Sequence, residues 1–337
     1  MSVFRVALVG CGLISDAHIR AYQQHADRAR ITVCCDLDEA KAIRAAQQVG
    51  AGARVVSDYA TVLADPDVDA IELCTPHHLH PEAVIAAARA GKHVLCQKPL
   101  AKTLADCDAM IKAASDAGVV LYYGETNRTL PSVVAMKRAI EDGRIGRLIG
   151  LQATYAHWQG GEYLSTAWRY DPAVTGGGQL LDGGIHYVDV LLHLGGPAES
   201  VTAFTTRFRP ELGGEDTAVV NIRFAEDGRL GTLFASQAAG IWFPDCTVAA
   251  FGIEGVLTLG GPHGALALHR PDLPGRHEVL LADGGDGFVA MTTCYLETVL
   301  DGAPNPSPGL IGRDDLRLVL AAYESARTGR EVRLAAV

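Results

Sequence analysis

The stretch Val3-Phe4-Arg5-Val6-Ala7-Leu8-Val9-Gly10-Cys11-Gly12-Leu13-Ile14-Ser15 decides the reading of the chain. Residues 3–9 form an apolar run of strand length, and Gly10-Cys11-Gly12 ends it in a tight turn. Residues 14–26 then read as a helix. Between a strand and a helix, Gly10-x-Gly12-x-x-Ser15 has a physical purpose. Gly10 allows the turn, and Gly12 lets the backbone approach a pyrophosphate. The helix N-terminus supplies free N–H groups and the positive end of its dipole. Leu13 and Ile14 lie in the same turn and join Gly10 and Gly12 as candidate cofactor-binding residues. Ser15 replaces the usual third Gly or Ala, which helix–strand packing tolerates. The competing reading is an ordinary glycine turn.

Outward from this turn, residues 30–35 (RITVCC), 55–56, 70–74, 93–96 and 119–123 read as strands. They alternate with helical segments at 38–49, 58–64, 81–90 and 103–117. That alternation predicts a parallel, doubly wound sheet over 1–124, a Rossmann-type α/β domain. The pattern changes after 124. Residues 147–156, 198–208, 216–224, 229–238, 245–251 and 255–259 read as strands joined by hairpin-like turns such as Glu226-Asp227-Gly228. Helices are expected at 132–142, about 179–194 and 313–328. Residues 125–337 are therefore expected to form an α+β domain with a mainly antiparallel sheet.

Twenty-nine basic residues against 39 acidic give a net charge of -10, which argues against nucleic acid or an anionic membrane as the main partner. No apolar run approaches a membrane span. The N-terminus, MSVFRVALVGCG, turns glycine-rich too early for a signal peptide. The eight cysteines (Cys11, Cys34, Cys35, Cys74, Cys96, Cys107, Cys246, Cys294) form no C-x-x-C pair, and several sit in apolar runs. Free thiols in a reducing, cytoplasmic compartment are expected.

Asp36 ends the second strand, 24 residues after Gly12, where a carboxylate accepts from ribose hydroxyls and repels a 2′-phosphate. This favours NAD, with NADP possible through neighbouring Arg44; a capping role before the helix at 38–49 is the alternative for Asp36. Thr75-Pro76-His77-His78-Leu79-His80 leaves the fourth strand, so Thr75, Pro76, His77 and His80 should face the cofactor. Three histidines in four residues suggest a metal, but no Cys, Asp or Glu nearby completes a ligand set, and none is expected. Cys96-Gln97-Lys98-Pro99 ends the next strand in the same crevice. Lys98 there is either a proton-transfer group or a surface lysine before a proline turn. Asp182 and His186 are four apart, so a regular helix would put both on one face, where an Asp can fix an imidazole tautomer. Asp189 and His193 continue that stripe, Asp189 as a partner for His186 and His193 as a cation at the helix C-terminus. Trp158, Trp168 and Arg169 offer stacking surface and a bidentate donor for a polyhydroxylated ligand. The bland alternative packs Trp168 in the core and pairs Arg169 with Asp171.

Taken together, these segments resemble the glucose–fructose oxidoreductase/inositol dehydrogenase/rhizopine-catabolism (Gfo/Idh/MocA) family. The likeness rests on Gly10-x-Gly12 with His18, Thr75-Pro76-x-x-x-His80-x-Glu82, Lys98-Pro99, and Trp168-Arg169 leading to Gly176-Gly177-Gly178. It continues through Asp182-x-x-x-His186-x-x-Asp189 and Ala321-Ala322-Tyr323-x-Ser325-Ala326-x-x-Gly329-Arg330. The resemblance implies a second domain that binds substrate and whose open sheet makes homodimer or homotetramer contacts. It implies hydride transfer between NAD(P) and a sugar, inositol or related polyol. Lys98, Asp182 and His186 map to its catalytic positions: His186, paired with Asp182, takes the hydroxyl proton, and Lys98 stabilises the same oxygen. Two residues depart from the pattern. Gln97 replaces a Glu, and His77 stands where Asn is frequent beside the nicotinamide ribose. An NAD-dependent glycoside hydrolase of the same fold and a non-catalytic dinucleotide-binding protein are the alternative functions.

Overall fold

The computed structural model describes residues 3–50, 52–158, 167–241, 247–260 and 264–334. Cys246 and the first residues of the strand expected at 245–251 lie outside them. The chain forms two compact units: Met1–Thr126 with Phe288–Arg313, and Asn127–Gly287 with Asp314–Val337.

The first unit is built on β1 (Phe4–Val9), β2 (Ala29–Cys35), β3 (Arg54–Val56), β4 (Ala70–Leu73), β5 (His93–Gln97) and β6 (Leu121–Gly124). All pair in parallel, in the order β3-β2-β1-β4-β5-β6. Strand order reverses between β1 and β4, so the Gly10 turn and the Thr75 loop leave the sheet side by side, at the point where open α/β sheets bind ligands. The crossovers are α1 (Ser15–Gln23), α2 (Glu39–Val49), α3 (Tyr59–Ala64), α4 (His80–Arg89) and α5 (Leu104–Ala117). Their starts carry the expected caps. Asp38, Asp58 and Thr103 accept backbone N–H groups at the heads of α2, α3 and α5, and Pro81 sits in the first turn of α4.

In the second unit, α6 (Pro131–Glu141), α7 (Pro172–Thr175) and α8 (Ile185–Gly195) accompany a nine-stranded sheet. Its strands are β7 (Leu148–Ala156), β8 (Ala198–Thr206), β9 (Thr217–Phe224), β10 (Leu230–Ser236), β11 (Val248–Gly252), β12 (Val256–Leu259), β13 (Leu266–His269), β14 (His277–Leu281) and β15 (Val332–Arg333). The order is β14-β13-β12-β11-β7-β10-β9-β8-β15, and β7 pairs with β10 in parallel within an otherwise antiparallel sheet. The sheet class matches the sequence expectation, while β13, β14 and β15 were not foreseen.

Helix α9 (Gly287–Asp301) was also missed, and α10 (Gly309–Thr328) begins before the expected 313. Most of α9 returns to the first unit, which a single cut after 124 does not provide for. Met291, Tyr295 and Leu296 are fully buried in that unit's core beside Leu8, Tyr22 and Tyr122. Burial of each such side chain stabilises by about 1.5–3 kcal/mol. The segment, GFVAMTTCYLETVLD, has Thr-Thr-Cys at its centre and no charge before Glu297, so its helical stripe is hard to see.

Candidate active site

The first unit supplies the nucleotide-binding features. Gly10 has φ +90°, and a Cβ there would lie 2.6 Å from the Cys74 carbonyl oxygen, so only glycine fits between β1 and β4. A Cβ at Gly12 would meet nothing within 4 Å, which leaves that side of the turn clear. No side chain caps α1 at Ile14; Ser15 N and Ala17 N turn back to the Gly12 and Ile14 carbonyls, and Leu13 and Ile14 are exposed at the head of the helix. Ser15 is buried, and its hydroxyl donates to the Gly12 carbonyl at 2.5 Å, so the small third residue locks the turn. These features fit a dinucleotide pyrophosphate.

Asp36 has a local structural duty as well. Its two carboxylate oxygens accept Cys11 N and Asp38 N, each at 2.8 Å, tying the glycine turn to the end of β2. Asp38 is the actual cap of α2. Each Asp36 oxygen has a second acceptor site for a ribose hydroxyl. Arg44 donates to the Cys11 carbonyl at 2.8 Å and to Asp16 at 2.7 Å, so it buttresses the turn.

The Thr75 loop and the Lys98 loop are joined by His80. Its Nε2 lies 2.9 Å from the Thr75 carbonyl and its Nδ1 2.9 Å from that of Pro99. Burial lowers the His80 pKa, and the facing carbonyls of Thr75, Pro99 and Leu100 work the other way. His80 is therefore a tie within the crevice, not a group turned toward a ligand. His77 is buried with its ring 6.1 Å from that of His80, whereas His78 is exposed. Gln97 is buried and Lys98, beyond the end of β5, is half-buried.

Beneath the crevice, ligand-type atoms of His18, Glu72 and Cys74 lie within 4.8 Å of one another. His18 Nδ1 is 2.7 Å from Glu72 Oε1. Two ligands of one tetrahedral zinc would be about 3.3 Å apart. The shorter separation is that of two side chains in direct contact.

In the second unit the expected regular helix over 179–194 is divided. Leu180–Gly184 forms a π turn, and α8 follows it. The wider turn changes the phase between positions 182 and 186, so the four-residue spacing does not by itself align Asp182 with His186. Asp182 Oδ2 accepts from Arg169 Nη1 at 2.7 Å, and the same guanidinium stacks 4.5 Å over the Trp168 ring. Arg169 thus pairs with Asp182 and not, as the bland alternative had it, with Asp171, which caps α7. Asp182 also acts on His157, a buried imidazole that sequence reasoning missed: burial lowers the His157 pKa and Asp182 opposes this. His157 stacks edge-on against Tyr155 at 4.5 Å, and Tyr187 lies 5.1 Å beyond. Lone His157 on a strand end carries no motif that would have flagged it. Trp158 is covered by the Arg209 guanidinium at 3.6 Å and stays 37% exposed, enough ring to stack on a ligand.

The π turn is held by residues remote in sequence. Glu215 accepts Gly178 N and Leu180 N at 2.9 Å and the Tyr323 hydroxyl at 2.7 Å. A Cβ at Gly178 would lie 2.1 Å from the Glu215 carbonyl oxygen, and one at Gly177 would lie 2.4 Å from the Tyr323 hydroxyl. The glycine triplet therefore makes room for this clamp. Farther along, Asp189 is ion-paired with Arg128, whose Nε donates at 3.0 Å. Arg128 Nη1 also donates to His193 Nδ1 at 2.9 Å. Burial first, then Arg128 and Lys137, lower the His193 pKa to about 3. His193 is accordingly neutral, and the cation at the C-terminus of α8 is Lys137, which donates to the His193 carbonyl at 2.8 Å. Residues 127–129 thus anchor α8.

Residues 4–125 match the Gfo/Idh/MocA oxidoreductase family, NAD-binding Rossmann fold, and residues 133–258 match its C-terminal domain. The chain belongs to this family of NAD-binding oxidoreductases. It is 31% identical to D-apiose dehydrogenase of Paraburkholderia graminis, covering 98% of this chain and 90% of that protein. A solved structure of levoglucosan dehydrogenase with NADH and levoglucosan superposes with a TM-score of 0.88 at 26% identity, covering 98% and 99% of the two chains. The WlbA dehydrogenase of Bordetella pertussis, solved with NADH and UDP-GlcNAcA, gives 0.85 at 30% identity, covering 100% of both.

Proposed function

We propose that the chain oxidises a secondary or anomeric hydroxyl of a free sugar or polyol, with NAD as hydride acceptor. The observation that carries this reading is the Asp182 carboxylate at the π turn, engaged by Arg169 and acting on His157, one turn before His186. Polar groups of both signs and the exposed Trp158 ring suit a ligand rich in hydroxyls. NAD would supply the hydride acceptor there. Gly10, Gly12, Leu13, Ile14 and Asp36 hold its adenosine diphosphate half; Thr75, Pro76, His77, Gln97 and Lys98 line the nicotinamide side. His186 takes the hydroxyl proton, Lys98 stabilises the charge that develops on that oxygen, and Asp182 with Arg169 orients the sugar. Trp158 and Trp168 stack on its apolar face. Relatives named for D-apiose and levoglucosan support small unphosphorylated sugars as the first substrates to assay.

The test is NADH formation across aldoses, apiose, levoglucosan and inositols, with NAD and NADP in parallel. Lys98→Met and His186→Gln should each lower kcat by on the order of 100-fold or more, the usual worth of a proton-transfer group. Full turnover in both variants on the best substrate would sink the assignment.

The second unit's sheet carries an uncharged apolar row in which Phe204, Val219 and Phe234 are cross-strand neighbours. Phe204 is 74% exposed, an unusual cost for a monomer. This row is assigned to a homodimer or homotetramer contact. Phe204→Asp should shift the molecular mass in light scattering to that of the monomer; an unchanged mass rejects the assignment. Seven free thiols among the described residues suit a reducing cytoplasm.

A further inference from the structure

One buried carboxylate fixes the loop between β8 and β9. Asp216 is wholly buried, and its Oδ2 accepts Phe208 N at 2.8 Å and Arg209 N at 2.7 Å. Its Oδ1 accepts the Thr217 hydroxyl at 2.9 Å. The loop, Phe208-Arg209-Pro210-Glu211-Leu212-Gly213-Gly214, has no periodicity of its own to hold it. Leu212 ties down its middle: the side chain is buried, and the carbonyl accepts from Arg207 Nη1 at 3.2 Å.

From Asp216 a circuit of hydrogen bonds crosses to the end of β10 and returns. The Thr217 hydroxyl lies 2.9 Å from that of Ser236, whose oxygen accepts Ala238 N at 3.1 Å. Thr217 gives its one proton to the carboxylate, so Ser236 is the donor between the two hydroxyls. The Ala238 carbonyl accepts from Arg209 Nη2 at 3.3 Å, and Arg209 N closes the circuit on Asp216. Asp216, Thr217 and Ser236 are all buried. The circuit also meets two residues of the candidate site. Ala238 pairs with Trp158 through an isolated antiparallel bridge, and the Ser236 carbonyl accepts His157 N at 2.9 Å.

What the circuit aims is the Arg209 guanidinium. Its Cζ lies 3.6 Å from the centre of the Trp158 ring, a van der Waals contact with the ring face. Among the described residues Arg209 Nε is buried with no acceptor, and Glu211 stands off at 3.9 Å. Contact with the indole therefore decides the pose as much as hydrogen bonding does. A guanidinium seated on one face of an indole closes that face to a ligand. We propose that Arg209 is a positioning residue for substrate binding: it covers one face of Trp158 and, held by the circuit through Asp216, Thr217, Ser236 and Ala238, leaves one fixed indole face for a sugar ring. The proposal rests on the reading of Trp158 as a sugar-stacking residue. A plane braced from behind loses little freedom when a rigid, closed-ring sugar or cyclitol settles on it, so the effect belongs to binding and not to hydride transfer.

The test uses the full-length enzyme with NAD and the sugar that turns over fastest among aldoses, apiose, levoglucosan and inositols. Trp158→Leu should raise KM by on the order of tenfold, and Arg209→Ala by about fivefold with kcat within about twofold, the worth of one stacking contact. Arg209 acts through the ring, so the double variant should be no worse than Trp158→Leu alone. Arg209→Lys keeps the charge without the planar group and should resemble Arg209→Ala. Acrylamide quenching of the fluorescence that Trp158→Phe removes should rise in Arg209→Ala, because the second ring face opens. Losses that multiply in the double variant, or full rescue by lysine, overturn the positioning role, since the cation then acts on the sugar directly. Unchanged KM and quenching in Arg209→Ala overturn it as well. Unchanged KM in Trp158→Leu removes the sugar-stacking reading and with it that role, while the quenching still decides whether Arg209 covers the indole.

Discussion

His18 sits beside Glu72 and Cys74 in the first unit, and His193 sits beside Arg128 and Lys137 in the second. Both rings lose solvent, which alone favours the neutral form. The neighbours then separate them. His18 is held up to about 10 and His193 is held down to about 3. Each supports a site element: His18 lies under the strand that carries Lys98, and His193 lies at the far end of the helix that carries His186. The same residue type is thus pushed toward the charged form in one unit and away from it in the other, and the sign of the adjacent charge decides which. Backbone also counts differently in the two units. The nucleotide turn is shaped by glycine and main chain and braced by half-buried Asp36 and Arg44, whereas the π turn and α8 are held mainly by charged side chains contributed from distant segments.

The largest effect should come from the second unit's ion pair. Asp189→Asn removes the carboxylate facing buried Arg128 and should cost about 3–5 kcal/mol in urea unfolding. A cost below about 1 kcal/mol would show that Arg128 is solvated and the comparison misdrawn.

Next in size are two opposite pH limbs. His193 has a folded pKa lowered from 6.5 to about 3, so the unfolded chain binds the extra proton first. Its stabilising contribution is present above pH 6.5 and is lost as pH falls toward 3. His18 has a folded pKa raised from 6.5 to about 10, so its contribution is full below pH 6.5 and is lost as pH rises toward 10. Unfolding free energies measured across pH should flatten on the acid side in His193→Gln and on the alkaline side in His18→Gln. If either substitution flattens the other limb, the charge assignments are reversed.

Glu215→Gln weakens the clamp on the π turn and should cost about 1–3 kcal/mol, with kcat falling more than KM rises. Tyr323→Phe should give a smaller loss in the same direction, and unchanged kcat in both would separate the clamp from catalysis. Gly10→Ala tests the contrast from the backbone side. Strain of about 1–3 kcal/mol should appear chiefly as weaker NADH binding in a fluorescence titration. The smallest effect is expected for Asp36→Ser. It removes ribose and turn hydrogen bonds worth about 1 kcal/mol and the charge that repels a 2′-phosphate, so the preference for NAD over NADP should narrow. An unaltered preference would mean that Asp36 serves the turn alone.

Much of this molecule was legible in the chain itself. The apolar run at 3–9, the glycines at 10 and 12, and the alternation that follows specify a parallel nucleotide-binding sheet, because strand burial and turn sterics are local properties. Those segments and the later Lys98, Asp182 and His186 motifs together specify an oxidoreductase family. What tertiary structure decided is who touches whom. Arg169 chose Asp182 over the nearby Asp171, a π turn altered the phase assumed for Asp182 and His186, and His193 became neutral beside Arg128. Helix α9 joined the first unit's core through Tyr295, and in the second unit Glu215 and His157 came to the π turn from segments without a motif. Periodicity reports which face of an element is apolar. The partner of a buried charge is set by distance and desolvation between residues far apart in the chain, and these exist only once the chain is folded.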